Sequence, residues 1–495
     1  MKRFYSSLFL GCALLAGGCT VGPNFKRPAS PVTSGFLKVP APDTASAQTP
    51  SAGNVQHFSA GADIPADWWT VFHSDALDRL VRQALAKNPN LEAAQAGVRV
   101  ALENVKAQIG SYYPTVIGGL NASHNQNAVI LSPTLTSASL LYDLYQAQLS
   151  LNWSPDIWGG NKRQVEALQA AADSQRYQLE AAQVGLVTNV VVAVIQEAGL
   201  HDQIDATNAM IVDEQKVLDI ENRQEAQGQI SGADVATQQL ALAQSQQSLS
   251  PLQKQLAQQD DLIAALTGDL PADTTAMDVQ LSSLSLPADL PLSLPSKLVE
   301  QRADIRSAAE SLHMASAQIG VAIANQLPNL TLSANAGTVG TQLGQLFIPG
   351  DNFWSVGAGI TGTVFDAGTL AHRAQSARET YDQVAAQYRG TVITAFQNVA
   401  DALHAIESDG DGLKTAAAAE TAAARSLAIA RRQQELGQTS ALGLLTAEQA
   451  EQQTRLAVIQ AEANRLADSA ALYQALGGGW WNQPEAEAAV TKSGG

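Results

Sequence analysis

The chain has 495 residues, with 46 acidic and 29 basic side chains and a formal net charge of −17 at pH 7, which argues against nucleic acid as a partner. Only 5% of residues are aromatic while Ala and Gln are abundant, which suits long, closely packed helices better than a globule with a large aromatic core. Both cysteines, Cys12 and Cys19, lie near the N-terminus, so neither a disulfide framework nor a cysteine metal site is available to the rest of the chain.

The N-terminus reads MKRFYSSLFLGCALLAGGCT. Lys2 and Arg3 form a basic start, Phe4 to Gly18 a short apolar stretch, and Ala16, Gly17 and Gly18 precede Cys19. This is an export signal, too short to span a bilayer as a mature helix. A cysteine directly after small residues resembles a bacterial lipoprotein cleavage site, although Ala16 stands where Leu is more usual. That resemblance implies a signal peptide at 1–18 and acyl chains, palmitate among them, on Cys19; Thr20, not being Asp, implies sorting to the outer membrane. Residues 19–65, rich in Pro, Ala, Ser and Thr, read as an extended lead segment. No later window holds eighteen apolar residues, so no transmembrane helix is expected; a chain that crosses a membrane must then do so as a closed barrel.

Helical pattern begins near Ser74, and a duplication organises the rest of the chain. Residues 88–123 align without gaps with 302–337, matching Ala94 to Ala308, Ala101 to Ala315, Ile109 to Ile323, Pro114 to Pro328 and Asn121 to Asn335. EAQGQIS (225–231) matches QELGQTS (434–440), and LTGDLP (266–271) corresponds to LGGGW (476–480). Repeat 1 takes residues 66–271, a linker 272–295, repeat 2 residues 296–480, and a flexible C-terminal tail 481–495.

Each repeat carries two predicted strands, 115–124 and 144–153 in the first, 329–338 and 353–365 in the second. The second strand places Tyr145, Ala147, Leu149, Leu151 and Trp153 on one face and Gln146, Gln148, Ser150 and Asn152 on the other. No Asp, Glu, Lys or Arg occurs between Pro114 and Tyr142, or from Leu327 to Gly350. Aromatics gather at strand ends, among them Tyr112, Tyr113, Trp153, Trp158, Phe347 and Trp354. Such strands, apolar on the lipid side and polar on the other with aromatic ends, are the pattern of transmembrane barrels. Four strands leave two open edges, so several chains must pool them: two copies give eight strands, three give twelve, and the residues leave that choice open.

After the second strand of each repeat, helical pattern runs from Gly160 to Gln227 and from Thr369 to Leu436, roughly 100 Å at 1.5 Å per residue. Val165, Leu168, Ala172, Leu179, Ala182 and Leu186, and later Leu442, Leu445, Leu456, Ile459, Ala463, Leu466, Ala470 and Tyr473, take a coiled-coil spacing. Gly228 and Gly437 mark helix ends, and Ser231 and Ser440 come next as N-caps, with Asp234 completing a capping box in the first. The functional reading of these turns is the far tip of a tube. Asp409-Gly410-Asp411-Gly412 lacks the later ligands of a calcium loop and reads as a break in the helix. The seven histidines are scattered and no catalytic motif appears, so neither an enzyme nor a cofactor is expected.

GCTVGPNFKRP (18–28), PADWWTVFHSDALDRLVRQALAKNPNL (65–91), the stretch from Pro295 to Gly337 and YQALGGGW (473–480) resemble the TolC-like outer membrane factor family, in its NodT-type branch of efflux-pump lipoproteins. The resemblance implies an α plus membrane β-barrel fold: a homotrimer with a 12-stranded barrel in outer membrane lipid above a long α-helical coiled-coil tunnel in the periplasm. It implies a passive exit duct for small molecules or drugs in a tripartite, RND-type system, docked to a periplasmic adaptor (membrane fusion) protein and an inner-membrane pump. It places the adaptor contact at the hairpin tips, Gly228, Ser231, Gly437 and Ser440, and the closing aperture at Asp234 and Leu442. Gly443 and Thr446 stand where acids are common, which leaves the second repeat without an acidic ring. A duct for type I protein secretion and a non-conducting coiled-coil envelope lipoprotein are the competing readings; the uncharged alternating strands disfavour the second.

Overall fold

The computed structural model describes residues 20–31, 33, 35–49, 51–126, 128, 141–273 and 279–483. The expected signal peptide, Cys19 and the part of the expected tail from residue 484 lie outside them. The chain divides into two compact units. The first takes residues up to Pro28, Gly97–Gln175 and Ala308–Tyr388; the second takes Ala29–Ala96, Arg176–Ser307 and everything from Arg389. Each unit therefore draws on both sequence repeats.

The first unit holds one antiparallel sheet of β2 (Thr115–Gln126), β3 (Leu141–Trp153), β5 (Asn329–Gly340) and β6 (Asn352–Thr361), in the order β2-β3-β5-β6. The register pairs Val116 with Leu151, Leu120 with Ala147, Leu149 with Ala336, Leu332 with Ala358 and Ala334 with Val356. Because partners in an antiparallel ladder share a face, one side of the sheet is apolar across all four strands. The other side carries Asn121, Gln148, Ser150, Ser333, Asn335 and Ser355. β6 ends at Thr361 rather than Phe365. Val364 and Phe365 are exposed beyond it, and Asp366 accepts hydrogen bonds from the Gly368 and Leu370 amides, which starts the next helix.

The helices, in chain order, are α1 (Asp75–Lys87), α2 (Pro89–Ile109), α3 (Gly160–Ala226), α4 (Gly232–Thr267), α5 (Pro295–Gln301), α6 (Ala303–Ala324), α7 (Thr369–Glu435) and α8 (Ala441–Ala475). Ser74 caps α1, accepting from the Leu77 amide, and Pro89 sits at the start of α2, where its missing N–H costs nothing. The second unit packs Ile64, Trp68, Phe72, Leu77, Leu281, Leu290 and Leu298 into a closed core, with Trp68 stacked on Tyr473 at 5.1 Å. The expected linker carries a strand: β4 (Asp289–Leu292) pairs in parallel with β1 (His57–Ala60) of the lead segment. The tail is held at its start, since Trp481 and Asn482 both donate to the Asp63 carboxylate.

Four further expectations change. α7 runs unbroken through Asp409–Gly412. A Cβ on Gly410 would stand 3.1 Å from the Ala45 amide nitrogen, so this glycine lets the lead segment lie directly on the helix. α3 does contain an 18-residue stretch of mean hydropathy 1.5, but half of it is buried; Val187, Val190, Val191, Val194 and Ile195 are core residues. The buried stripe of α3 includes Ala167, Ala170, Ser174, Tyr177, Val184 and Val187; of the expected seam Ala172 is buried as well, whereas Val165, Leu168, Leu179 and Leu186 stay half-buried and Ala182 is exposed. In α8 the expected seam holds from Ala463 to Tyr473, but at its start Leu444 is buried and Leu442 is exposed.

Candidate functional site

Two regions carry the predicted functional residues. The first is the sheet. Leu120, Leu149, Trp354, Val356 and Ile360 are exposed on its apolar face, with Leu120 at 85% and Trp354 at 78%. On the opposite face Gln146, Gln148 and Ser150 join in a hydrogen-bonded row, with Gln148 Nε2 to Ser150 Oγ at 3.1 Å. Tyr112, Tyr113, Trp153 and Trp158 sit at one end of the strands; Tyr142, Tyr145, Phe347, Phe353 and Trp354 sit at the other. Trp153 Nε1 donates to the Tyr112 carbonyl (2.9 Å) and Trp158 Nε1 to the Pro328 carbonyl (2.7 Å), which fixes the first girdle. β2 and β6 are edge strands.

The chain just after Cys19 is bound at that same end. The Val21 amide donates to the Trp158 carbonyl (3.1 Å). Buried Arg163 donates to the carbonyls of Val21 and Gly22 and to Asn24 Oδ1. Phe25 stacks on His313 at 4.5 Å, and Arg27 pairs with Glu310 at 3.1 Å. His313 in turn bridges Glu310 (3.2 Å) and Glu166 (3.1 Å). The hydrogen bond to Glu310, with that to Glu166, raises the imidazole pKa against its partial burial.

The second region is the pair of hairpin turns α3–α4 and α7–α8. Gly228 and Gly437 take φ of +72° and +65°. The turns close identically. The amides of Gly228 and Gly437 donate three residues back, to Glu225 and Gln434. The amides of Gln229 and Gln438 donate five back, to Gln224 and Gln433. This is a Schellman-type stop, in which glycine avoids the Cβ cost of the left-handed conformation. Ser231 and Ser440 then cap α4 and α8, accepting from the amides of Asp234 (3.4 Å) and Gly443 (3.3 Å). Asp234 Oδ2 accepts back from the Ser231 amide (3.1 Å) and hydroxyl (2.8 Å). Its carboxylate is therefore folded onto its own helix start. Gly443, its counterpart in the second repeat, could not be replaced without pressing a Cβ to 2.6 Å from Thr439 Oγ1. Leu442 stands 65% exposed beside it.

Behind the tips lies a group the sequence did not announce. Glu214 and Glu221 of α3 and Glu448 of α8 are buried carboxyls, each at most 3% exposed. Ser245 donates to Glu214 (2.9 Å) and Gln434 to Glu221 (3.1 Å). Glu448 has only Arg431, at 3.8 Å, among the described residues. An acid in an Ala/Gln/Glu-rich helix reads as a solvated surface residue; only the packing of α3, α7 and α8 reveals otherwise. Among the described residues no group of three or more His, Cys, Asp or Glu is placed to hold a metal ion.

The family model for outer membrane efflux proteins matches residues 80–269 and 294–478. The chain is 27% identical over 477 residues to the toluene efflux pump outer membrane protein TtgC of Pseudomonas putida, covering 95% of each chain. It is 28% identical over 460 residues to OpmQ, a pyoverdine export outer membrane protein of Pseudomonas putida, covering 89% of this chain and 94% of that one. Its fold matches the outer-membrane channel OprN with a TM-score of 0.80 at 27% identity, over 93% of this chain and all of the other. With a four-stranded sheet, two long helical hairpins and a family match over most of its length, this chain belongs to the outer membrane efflux protein family.

Proposed function

We propose that three copies of this chain form a passive exit duct through the outer membrane, the last component of a tripartite efflux system. The observation that carries this is the sheet: one continuous apolar face, a polar opposite face, aromatic girdles at both ends and two edge strands, β2 and β6. In lipid each unpaired backbone group costs several kcal/mol, so β2 of one copy must pair with β6 of the next. Three copies then supply twelve strands, enough for a water-filled lumen lined by Gln148, Ser150 and Asn335. The half-buried stripe of Val165, Leu168, Leu179 and Leu186 on α3 fits the same assembly, because a seam left open in one protomer is what a neighbouring helix requires.

The hairpin tips are the contact for a periplasmic adaptor and, through it, an inner-membrane pump that supplies the energy. Asp234 and Leu442 line the closing aperture, with exposed Leu442 the principal obstruction. Cys19 carries the acyl anchor. What supports this is that Val21, two residues further along the chain, is held by the Trp158 carbonyl at the Trp153–Trp158 end of the sheet. Small molecules are the cargo class. Relatives named for toluene and for pyoverdine stand at nearly equal identity, so the compound itself is set by the pump.

The test is the native mass of full-length protein extracted in mild detergent. Three copies with acyl mass on each, absent from a Cys19→Ser variant, support the duct and its anchor. A stable monomer would leave both sheet edges open and overturn it.

A further inference from the structure

Glu448 lies in the layer where α3, α7 and α8 meet, two turns from the start of α8. It is 2% exposed, and among the described residues neither carboxyl oxygen has a hydrogen-bond partner. It borders a cavity of about 170 Å³ lined also by Glu214, Arg431, Glu451, Gln452 and Arg455. The charged groups facing it come from every packed helix. α3 presents Asp213, Glu214 and Glu221; α7 presents Arg431; its own helix adds Glu451 and Arg455. Arg431 is shared, standing 3.8 Å from both Glu448 and Asp213, and Asp213 is also held by Lys216 at 3.0 Å. α4 contributes neutral donors: Ser245 to the Glu214 carboxyl and Gln238 to its carbonyl. Two apolar clusters flank the site, Leu218–Val235–Leu242 toward α4 and Leu427–Leu444–Ala447 toward α7 and α8. α3 is thus the helix shared by both hairpins, and Glu448, facing Arg431 at 3.8 Å but accepting no hydrogen bond among the described residues, sits in its contact with the second.

We propose that Glu448 is a proton-operated latch between the two hairpins: protonated, it lets α3 stay packed against α7 and α8, and on ionising it loosens that packing at the tips. Burial pushes Glu448 up to about 7, against the pull of Arg431 and with the push of Glu214, Glu221 and Asp213. Burial likewise raises Glu214 and Glu221. Between the ordinary glutamate value of about 4.5 and 7, the packed arrangement binds more protons than the loosened one, so it weakens as pH rises through that window and no further above it. A buried neutral carboxyl costs far less than a buried charge with one distant partner.

The effect on conduction rests on the duct reading; the effect on packing does not. The experiment uses full-length protein, wild type, Glu448→Gln and Arg431→Gln, between pH 5 and pH 7.5. In planar bilayers the wild-type leak should rise by about threefold or more across this range, since one unit of pKa shift allows up to tenfold. Glu448→Gln should stay at the wild-type pH 5 level, and Arg431→Gln should move the rise to higher pH. Identical pH profiles for wild type and Glu448→Gln overturn the latch. If wild type carries no current at any pH, the duct reading fails, and thermal unfolding in detergent decides the latch alone. A midpoint that falls in wild type relative to Glu448→Gln as pH rises supports it, and a constant difference overturns it.

Discussion

Arg465 Nη2 lies 2.6 Å from Thr44 Oγ1, and the guanidinium that makes this bond is fully buried. The same side chain donates to the carbonyls of Ala52 (2.7 Å) and Asn54 (2.9 Å) and to Gln56 Oε1 (3.2 Å). One residue of α8 thus fixes residues 44–56 of the lead segment, which have little secondary structure of their own. Gln56, also buried, passes the network on to the Pro287 carbonyl and Ser469.

Arg465→Met keeps an unbranched apolar stem but leaves four acceptors without their donor. The cost should be on the order of 3 kcal/mol, because buried acceptors lose their partners and water cannot reach all of them. Chemical denaturation of the detergent-solubilised protein measures it. A loss below about 0.5 kcal/mol would show that the lead segment is held by other contacts.

The two faces of β3 should respond oppositely to charge. Leu149→Arg puts a guanidinium on the apolar face and should cost about 2 to 4 kcal/mol, enough to deplete folded protein from the outer membrane. Gln148→Arg, one residue away, points to the polar face and should assemble normally. Membrane fractionation and heat-modifiability on gels separate the two. Equal tolerance of both substitutions contradicts the assignment of faces.

Asp234 joins two effects that two substitutions can divide. Asp234→Ala removes the acceptor for the Ser231 amide and hydroxyl and should weaken the start of α4 by about 1 kcal/mol. Asp234→Asn keeps an acceptor and removes the charge. Because the carboxylate is turned back onto Ser231, leak conductance should rise more with Ala than with Asn. An unchanged leak in both would remove Asp234 from the aperture.

The docking of Phe25–Arg27 should depend on pH through His313. Its pKa is raised by Glu310 and Glu166, so the stabilisation is fully present below the ordinary imidazole value of about 6.5 and is lost as pH rises through the folded value. Trypsin can cut after Lys26 but not after Arg27, which precedes Pro28. Cleavage at Lys26, taken relative to a His313→Gln variant at the same pH, should be slower at pH 6 and approach the variant's rate at pH 9. A ratio that does not change with pH would mean that Phe25 and Arg27 hold the segment without the imidazole's charge.

The strands, hairpin turns and caps were legible because each is a local rule. Alternation in LYQAQLSLNW sets two faces whatever the strand pairs with. Gly228 and Gly437 stop helices because of their own backbone freedom, and Ser231 and Ser440 cap because a hydroxyl reaches an amide three residues on. The duplication made each of these features visible twice. The burial of Glu214, Glu221 and Glu448, the choice of Ala167–Tyr177 over Val165–Leu179 as the core stripe of α3, and the continuity of α7 through Asp409–Gly412 were decided by tertiary packing. An Ala- and Gln-rich helix carries more than one weakly apolar stripe, so only its neighbours select the buried one. Gly410 looked like a helix breaker in isolation, and it serves instead as the gap that admits residues 44 and 45. Arg465 likewise reads as surface charge in sequence. It becomes a buried tie because the four acceptors that satisfy it lie more than four hundred residues away along the chain.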